Sequence, residues 1–251
     1  MTLYLVGLGL WDEKDMSLKA REISKKCDEV YLEYYTSVLF GTSKEKLEKE
    51  IGKEIILLDR KAMEQDKPYL ENAKQKAVAV LIGGDPLSAT THMETILEAK
   101  RSEIQVELVH ASSIFTAVAE CGLFLYKFGK TCSLPFWSKN YKPTSFYDII
   151  KDNLSVGAHT LMLLDIKADE KRFMTVNEAL ELLLKVSKND DLDEETYVVG
   201  LSRLGSPDRQ IVYGKIKELL TYDFKGPMHV VIVPGKLNDT EKEALEMFKL
   251  S

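Results

Sequence analysis

Four short turns hold most of the residues in this sequence whose types and spacing could do chemistry. They are GLGL at 7–10, GGDPLSATTH at 83–92, HASSI at 110–114 and SRLGS at 202–206, the last considered together with His229. Paired glycines let the main chain approach a ligand closely, and a hydroxyl placed before a helix can cap that helix. The turns therefore predict a ligand cradle made of main-chain amides and carbonyls.

Each turn also has a purely structural interpretation. Gly7 and Gly9 could serve only to permit a tight turn. Asp85 and Ser113 could serve only to cap the helices that follow them, and His229 could be a core histidine among apolar neighbours. The residues alone leave both interpretations open.

The turns lack the signatures of several common enzyme classes. A dinucleotide-binding GxGxxG turn needs a third glycine where Asp12 stands, which disfavours an NAD-dependent oxidoreductase even though Glu33 could hold a ribose. The sequence contains neither GxxxxGK[ST] nor GxSxG. Its three cysteines form no CxxC pair and its four histidines form no HExxH motif, so we expect free thiols and no metal site.

Charge and hydropathy argue against nucleic acid and membrane as binding partners. The 251 residues include 34 basic and 40 acidic side chains, and the net charge of −6 disfavours a general nucleic-acid binder. No apolar run approaches the ~18 residues that span a bilayer, so no membrane segment is predicted. The apolar stretch 1–11 has no basic flank, which argues against a signal peptide. The expected free thiols and the absence of a signal-peptide pattern together favour a cytoplasmic location.

The elements that must position the turns alternate between strand and helix patterns. Predicted strands, with helices between most of them, cover 2–6, 30–33, 55–58, 77–82, 105–109, 131–136, 160–166, 197–201 and 230–233. The apolar run AVAVLI at 77–82 is typical of a strand buried on both faces of a parallel sheet. We predict an α/β protein with two αβα domains, 1–118 and 119–251, whose sheets are mostly parallel. Ligands bind beyond the carboxyl ends of such strands.

The order of several motifs goes further than composition. They are LYLVGLGL (3–10), YLEYYTSVL (31–39), GGDPLSATTH (83–92), HASSIF (110–115), LYKFGKT (125–131), HTLMLLDIKA (159–168), MTVNEALELLL (174–184), GLSRLGS (200–206) and HVVIVPGKL (229–237). In this order they resemble the diphthine synthases, a family in the tetrapyrrole-methylase-like (class III) group of methyltransferases. The resemblance extends from Thr2 to about Phe248. It implies two α/β domains with S-adenosylmethionine in the cleft between them, in a homodimer.

The resemblance also implies a substrate and a reaction. Family members act on translation elongation factor 2 during diphthamide formation. They methylate the amine of a 3-amino-3-carboxypropyl group on a histidine and release S-adenosylhomocysteine. Phe136-Trp137 and GLSRLGS are similar to the eukaryotic branch, whose members also methylate the carboxylate, so four transfers giving diphthine methyl ester are predicted. The alternatives are three transfers giving diphthine, a tetrapyrrole methyltransferase, and a non-enzymatic module that binds the elongation factor.

By the same resemblance, cofactor contacts fall on Leu10, Asp85, Ser88, Ser113, Ile114, Leu164, Leu204 and His229. Several of these are apolar, which suits main-chain hydrogen bonds to the cofactor. No catalytic base is assigned, because a sulfonium methyl group is already activated for transfer. A further hypothesis gives the substrate side to aromatic residues, whose ring faces would stabilise a quaternary ammonium. These residues, for which core or dimer positions stay open, are Tyr34, Tyr35, Phe136, Trp137 and Tyr141.

Overall fold

The computed structural model describes residues 1–33, 38–168, 170–187 and 192–250. The chain divides into two compact units. Unit 1 contains residues 1–117 and 167–170, and unit 2 contains residues 118–166 and 171–251. The domain boundary at 118/119 stays a prediction, because compactness does not test whether either half folds alone.

Unit 1 is built on a five-stranded sheet. Its strands are β1 (Thr2–Gly7), β2 (Glu29–Glu33), β3 (Ile55–Leu58), β4 (Val78–Ile82) and β5 (Gln105–Val109). Its helices are α1 (Leu18–Lys26), α2 (Lys44–Ile51), α3 (Pro68–Ala73), α4 (His92–Arg101) and α5 (Ile114–Ala117). The strand order is β3-β2-β4-β1-β5, and every neighbouring pair is parallel. All of β4 is buried, and its alternate residues pack into two separate cores, which confirms the predicted parallel sheet.

Helix boundaries in unit 1 follow local signals. The Ser17 hydroxyl accepts a hydrogen bond from the Ala20 N–H and so caps α1. Pro68 occupies the first turn of α3, where an N–H would have no intrahelical partner. The helical pattern of residues 61–76 is therefore divided at Pro68, and a π-helix (Ala62–Asp66) precedes α3.

Unit 2 also contains a five-stranded sheet. Its strands are β6 (Cys132–Leu134), β7 (Thr160–Leu164), β10 (Tyr197–Ser202), β11 (Gln210–Lys215) and β12 (His229–Val233). The short strands β8 (Ile166–Lys167) and β9 (Arg172–Phe173) lie outside both large sheets. The helices are α6 (Ser145–Ser155), α7 (Val176–Ser187), α8 (Ile216–Leu219) and α9 (Asp239–Glu246). None of the helices in the described part of the chain is long and apolar enough to cross a membrane.

Strand direction in unit 2 differs from the mostly parallel arrangement predicted for both domains. The order is β11-β10-β12-β7-β6, and β6–β7 is its parallel pair, while the other three pairs are antiparallel. The prediction missed β11, which follows β10 after residues 203–209. A chain that reverses over so short a connection pairs antiparallel, because a parallel pair needs a crossover of roughly a dozen residues or more.

A buried carboxylate, Glu241, ties α9 to the rest of unit 2. Its side chain has no exposed surface. It accepts hydrogen bonds from the main-chain N–H of Phe124 (3.1 Å) and of Asn238 (3.0 Å), from His159 Nε2 (3.0 Å) and from the Lys127 ammonium. Burial raises the pKa of Glu241, but these donors outweigh burial and bring the pKa to about 2.

Candidate active site

Three of the predicted turns lie side by side in unit 1. They are 7–10, 83–92 and 110–114, which follow the neighbouring strands β1, β4 and β5. The Gly9 N–H donates to the Gly84 carbonyl at 3.3 Å, and the Gly84 N–H donates to the Gly9 carbonyl at 2.7 Å. Sheet order therefore brings together turns that are far apart in sequence, and a main-chain bridge joins two of them. We call them the unit 1 turns.

Two glycines of the unit 1 turns have different physical requirements. A Cβ atom at Gly7 would lie 2.7 Å from both the Gly84 carbonyl oxygen and the Ala111 Cβ, so packing excludes a side chain there. Gly84 has a φ of +73°, but a Cβ atom at Gly84 would meet no heavy atom of the described residues within 4 Å. The main chain at Gly84 thus faces open space, and a ligand can approach it closely.

Asp85 is a buried link between turns 83–92 and 110–114. Its Oδ1 accepts a hydrogen bond from the Leu87 N–H at 3.0 Å. Its Oδ2 lies 3.2 Å from the Ala111 N–H and 2.7 Å from His110 Nδ1. Burial raises the pKa of Asp85, but hydrogen bonds from Leu87, His110 and Ala111 outweigh burial, and the pKa lies below its usual range. Asp85 is therefore an ionised side chain that holds two of the turns together.

The other predicted positions of unit 1 lie in the same three turns. The Leu10 N–H donates to Asp15 Oδ2 at 3.1 Å, and the Ser88 hydroxyl lies 3.5 Å from the nearer Asp85 carboxylate oxygen. Ser113 is buried, and its carbonyl accepts the first hydrogen bonds of α5. Ile114 is half-buried at the first position of that helix. The structure brings these residues to one edge of the sheet; their contact with a cofactor stays a prediction.

Sequence reasoning missed a buried ion pair beside these turns. His92 Nε2 lies 2.7 Å from Glu33 Oε2, and His92 Nδ1 lies 2.9 Å from the Pro86 carbonyl oxygen. The carboxylate only accepts, so Nε2 carries a proton, while Nδ1 lies between the Pro86 carbonyl and the Thr90 hydroxyl, which is 2.7 Å away. Burial lowers the pKa of His92, but Glu33 outweighs burial, and the pKa lies above its usual value. The partners are 59 positions apart, so no local pattern reveals the pair.

Unit 2 carries the remaining predicted positions at the ends of its own strands. Leu164 is buried at the end of β7. The next residue, Asp165, accepts a hydrogen bond from the Phe136 N–H at 2.8 Å and so joins the ends of β6 and β7. Leu204 is buried in the turn after β10. The N–H of the preceding residue, Arg203, donates to the Met228 carbonyl at 2.8 Å.

The His229 ring is bound within unit 2. Its Nδ1 accepts a hydrogen bond from the Val176 N–H at 3.2 Å, and its Nε2 lies 2.6 Å from the Lys225 carbonyl oxygen. Nε2 therefore carries the proton of a neutral ring. Burial lowers the pKa of His229, and the hydrogen bonds to carbonyls oppose that only in part. The ring has the contacts of a core histidine, so a cofactor contact at this position would use the main chain.

Comparison with known proteins identifies the family. The sequence profile of the tetrapyrrole (corrin/porphyrin) methylases matches residues 2–220. The chain belongs to this family. It is therefore a methyltransferase, and the α/β fold predicted from the sequence is the fold of this family.

Within the methylases, the chain is similar to diphthine synthases. It is 48% identical to the diphthine synthase of Methanococcus maripaludis (strain S2) over 248 residues, which is 97% of each chain. It is also 48% identical to that of Methanocaldococcus jannaschii over 250 residues, again 97% of each. A crystal structure of a diphthine synthase candidate from Entamoeba histolytica has a TM-score of 0.93 and 44% identity, covering 100% of this chain and 99% of that one. A further diphthine synthase crystal structure has a TM-score of 0.91 and 37% identity, covering 99% and 96%.

The aromatic residues suggested for the substrate side of this methylase have different surroundings. Phe136 is buried, and the Arg172 guanidinium lies 3.9 Å from its ring centre, so one ring face is already occupied. Trp137 donates to the Pro143 carbonyl at 3.1 Å, while Tyr141 is 58% exposed. Both stay candidates for a substrate contact. Tyr34 and Tyr35 lie outside the described residues.

The cysteines of the methylase lie in its interior. Burial raises the pKa of Cys27 and of Cys121 to about 11, and that of Cys132 to about 12. Thiols with such pKa values stay protonated and are poor nucleophiles at neutral pH. In the described ranges, no group of three His, Cys, Asp or Glu side chains is arranged to hold a metal ion.

Proposed function

We propose that this methylase uses S-adenosylmethionine to methylate translation elongation factor 2 during diphthamide biosynthesis. The acceptor is the histidine side chain that carries a 3-amino-3-carboxypropyl group. The observation that carries the proposal is the open main chain at Gly84 beside the buried Asp85, in a chain 48% identical to diphthine synthases over 97% of its length.

The unit 1 turns fit the cofactor. A charged amino-acid moiety and an adenine ring bind well to main-chain amides and carbonyls that are fixed in advance, and Asp85 and the Gly9–Gly84 bridge fix these turns. In this proposal Leu10, Asp85, Ser88, Ser113 and Ile114 hold the cofactor on unit 1. The positions that unit 2 contributes are Leu164, Leu204 and His229. When bound, S-adenosylmethionine supplies a methyl group on a positively charged sulfur that is already activated for displacement.

The tasks left to the chain are to align the acceptor and to exclude water from the site. An amine attacks only in its neutral form, so a desolvated site that lowers the pKa of the amine favours the reaction. The carboxylate of the same group is a nucleophile without losing a proton. We propose four transfers giving diphthine methyl ester; three transfers giving diphthine is the alternative. The enzyme is further proposed to be a cytoplasmic homodimer, which light scattering and cell fractionation test.

The acceptor is tested by mass spectrometry. The protein is incubated with S-adenosylmethionine and with elongation factor 2 that carries the unmethylated intermediate, and the modified peptide is weighed. A gain of four methyl groups supports the proposal in full, and a gain of three supports the acceptor and refutes the ester. No gain, combined with binding or methylation of a tetrapyrrole macrocycle, would favour the tetrapyrrole methyltransferase alternative. Binding of the elongation factor without transfer would favour a non-enzymatic module.

The cofactor site is tested with two matched glycines. Gly84 and Gly52 have φ values of +73° and +74°, and a Cβ atom at either position meets no described heavy atom within 4 Å. Alanine at either position should therefore cost about 1 kcal/mol of stability through backbone strain alone. Only Gly84→Ala should weaken S-adenosylmethionine binding, by roughly tenfold or more in Kd by calorimetry. Equal cofactor affinity in the two variants would refute the assignment of the site.

A further inference from the structure

We propose that His110 is the proton acceptor of the reaction, and that Asp85 orients its ring for this role. The inference rests on the proposed function, because it assumes an ammonium group as the methyl acceptor. His110 directly follows β5, at the edge where the unit 1 turns meet. Its side chain is 66% exposed, whereas that of Asp85 is 10% exposed. The exposed His110 ring is therefore hydrogen-bonded to a carboxylate that is largely shielded from solvent.

The hydrogen bond between the two side chains decides which ring nitrogen is basic. His110 Nδ1 lies 2.7 Å from Asp85 Oδ2. An ionised carboxylate only accepts, so Nδ1 carries the proton and the lone pair of the neutral ring is on Nε2. None of the hydrogen bonds within the described residues uses this Nε2. When Nε2 takes a proton, the adjacent Asp85 carboxylate stabilises the imidazolium, as in the histidine–aspartate pairs of hydrolases.

Asp85 is itself held in place. The Leu87 N–H (3.0 Å) and the Ala111 N–H (3.2 Å) fix its two oxygens from both turns that it joins. The carboxylate therefore cannot rotate away from His110 without breaking main-chain contacts. Among the residues that the structure describes, the titratable group within hydrogen-bond distance of the His110 ring is Asp85.

The other three histidines are bound in the interior. His92 and His229 have protein partners at both ring nitrogens, as described above. His159 Nε2 lies 3.0 Å from Glu241, and its Nδ1 accepts a hydrogen bond from the Gly235 N–H at 2.9 Å. Of the four histidines in the sequence, His110 combines an exposed ring with an uncommitted lone pair.

Methyl transfer to an amine requires a base that removes a proton from the substrate ammonium. A primary amine is an ammonium at neutral pH and has no lone pair for attack. In the proposed step an N–H bond of the substrate ammonium breaks, its electron pair stays on the substrate nitrogen, and a bond forms between the proton and His110 Nε2. The proton then passes to water, so the step needs no other reactant. Each transfer to nitrogen begins with this step, whereas transfer to the carboxylate does not.

The test compares His110→Gln with wild type and with Lys100→Gln, an exposed position on α4 of the same unit. We expect the single-turnover rate of transfer to the amine at pH 7 to fall by ~10²-fold or more in His110→Gln, with an unchanged Kd for S-adenosylmethionine. That rate should recover as pH rises toward 10, because the amine then loses its proton to water. Transfer to the carboxylate, measured on an acceptor whose amine is already trimethylated, should not change in any variant that catalyses it.

A readout without turnover tests the orientation of the ring. Nitrogen NMR of the protein alone should report the proton of neutral His110 on Nδ1. Asp85→Ala should free this proton to move to Nε2, because the substitution removes the acceptor that holds the proton on Nδ1. An Nε2–H tautomer in wild type would overturn the proposal. So would a His110→Gln rate within about threefold of wild type at pH 7, or a loss that high pH does not restore. A wild-type protein that transfers no methyl group would instead overturn the proposed function, and His110 with it.

Discussion

Replacing Glu241 by glutamine is expected to lower the free energy of unfolding of unit 2 by about 3 kcal/mol at pH 7.5. The carboxylate is fully buried and accepts hydrogen bonds from Phe124, Asn238, His159 and Lys127. The glutamine amide has the same size but no charge, and its NH₂ group would face N–H donors that the Glu241 carboxylate accepts from. The Lys127 ammonium then loses its anionic partner, which is the costly part of breaking a buried ion pair.

The magnitude also follows from the pKa. The pKa of Glu241 falls from an ordinary 4.5 to about 2 in the folded protein. At ~1.4 kcal/mol per pH unit, this difference corresponds to about 3 kcal/mol of stability from the ionised form. Because the folded pKa is depressed, the contribution is complete above pH 4.5 and is lost as pH falls toward 2. The difference in stability between wild type and Glu241→Gln should therefore shrink across this range.

The assay follows unit 2 by itself. The chain has two tryptophans, Trp11 in unit 1 and Trp137 in unit 2. Urea unfolding of a Trp11→Phe background, followed by Trp137 fluorescence, therefore reports on unit 2. Glu243→Gln, an exposed position on α9, is the matched control and should change stability by less than about 0.5 kcal/mol. A loss below about 1 kcal/mol for Glu241→Gln, or a loss that does not depend on pH, would refute the reasoning.

Three further substitutions test the framework of the site. Gly7→Ala should destabilise unit 1 by about 1–3 kcal/mol, seen as a lower urea midpoint, because the new Cβ would overlap the neighbouring turns. Glu33→Gln should destabilise unit 1 by about 3 kcal/mol at pH 6. This loss should diminish toward pH 9, since the pKa of His92 is raised in the folded protein and its contribution is lost as pH rises through that value. A constant loss from pH 6 to 9 would contradict the ion pair. Thr175→Ala should cost unit 2 about 1 kcal/mol by urea unfolding, because Thr175 and Glu178 exchange capping hydrogen bonds at the start of α7.

Single strands, helix breaks and helix caps in both units could be predicted from the sequence, because the residues that cause them lie close together along the chain. The apolar run at 77–82 predicts a strand buried on both faces, and β4 is one. Pro68 divides the helical pattern over 61–76, because proline suits the first turn of a helix and not its interior. Thr175 and Glu178 stand in the Thr-x-x-Glu pattern of a capping box, and they form that box at the start of α7. Each signal acts through a side chain on its own or a neighbouring turn of backbone.

The strand direction in the sheet of unit 2 was not predicted correctly, although the sequence carries a signal for it. The run QIVYGK at 210–215 alternates apolar and polar residues, which is a strand signal. Two strand patterns separated by a short turn predict a hairpin, and this signal alone could have corrected the strand direction in unit 2.

The sequence by itself determined that glycine-lined turns follow the strands of an α/β protein and that the chain resembles a family of methyltransferases. The tertiary structure alone decided which distant side chains meet, at those turns and elsewhere. Asp85 and His110 are 25 positions apart, Glu33 and His92 are 59 apart, and His159 and Glu241 are 82 apart. Such pairs depend on strand order and on burial, which strengthens a charge interaction by removing water. Propensity and periodicity report on neighbours along the chain, so they carry no information about which distant side chains the sheet brings together.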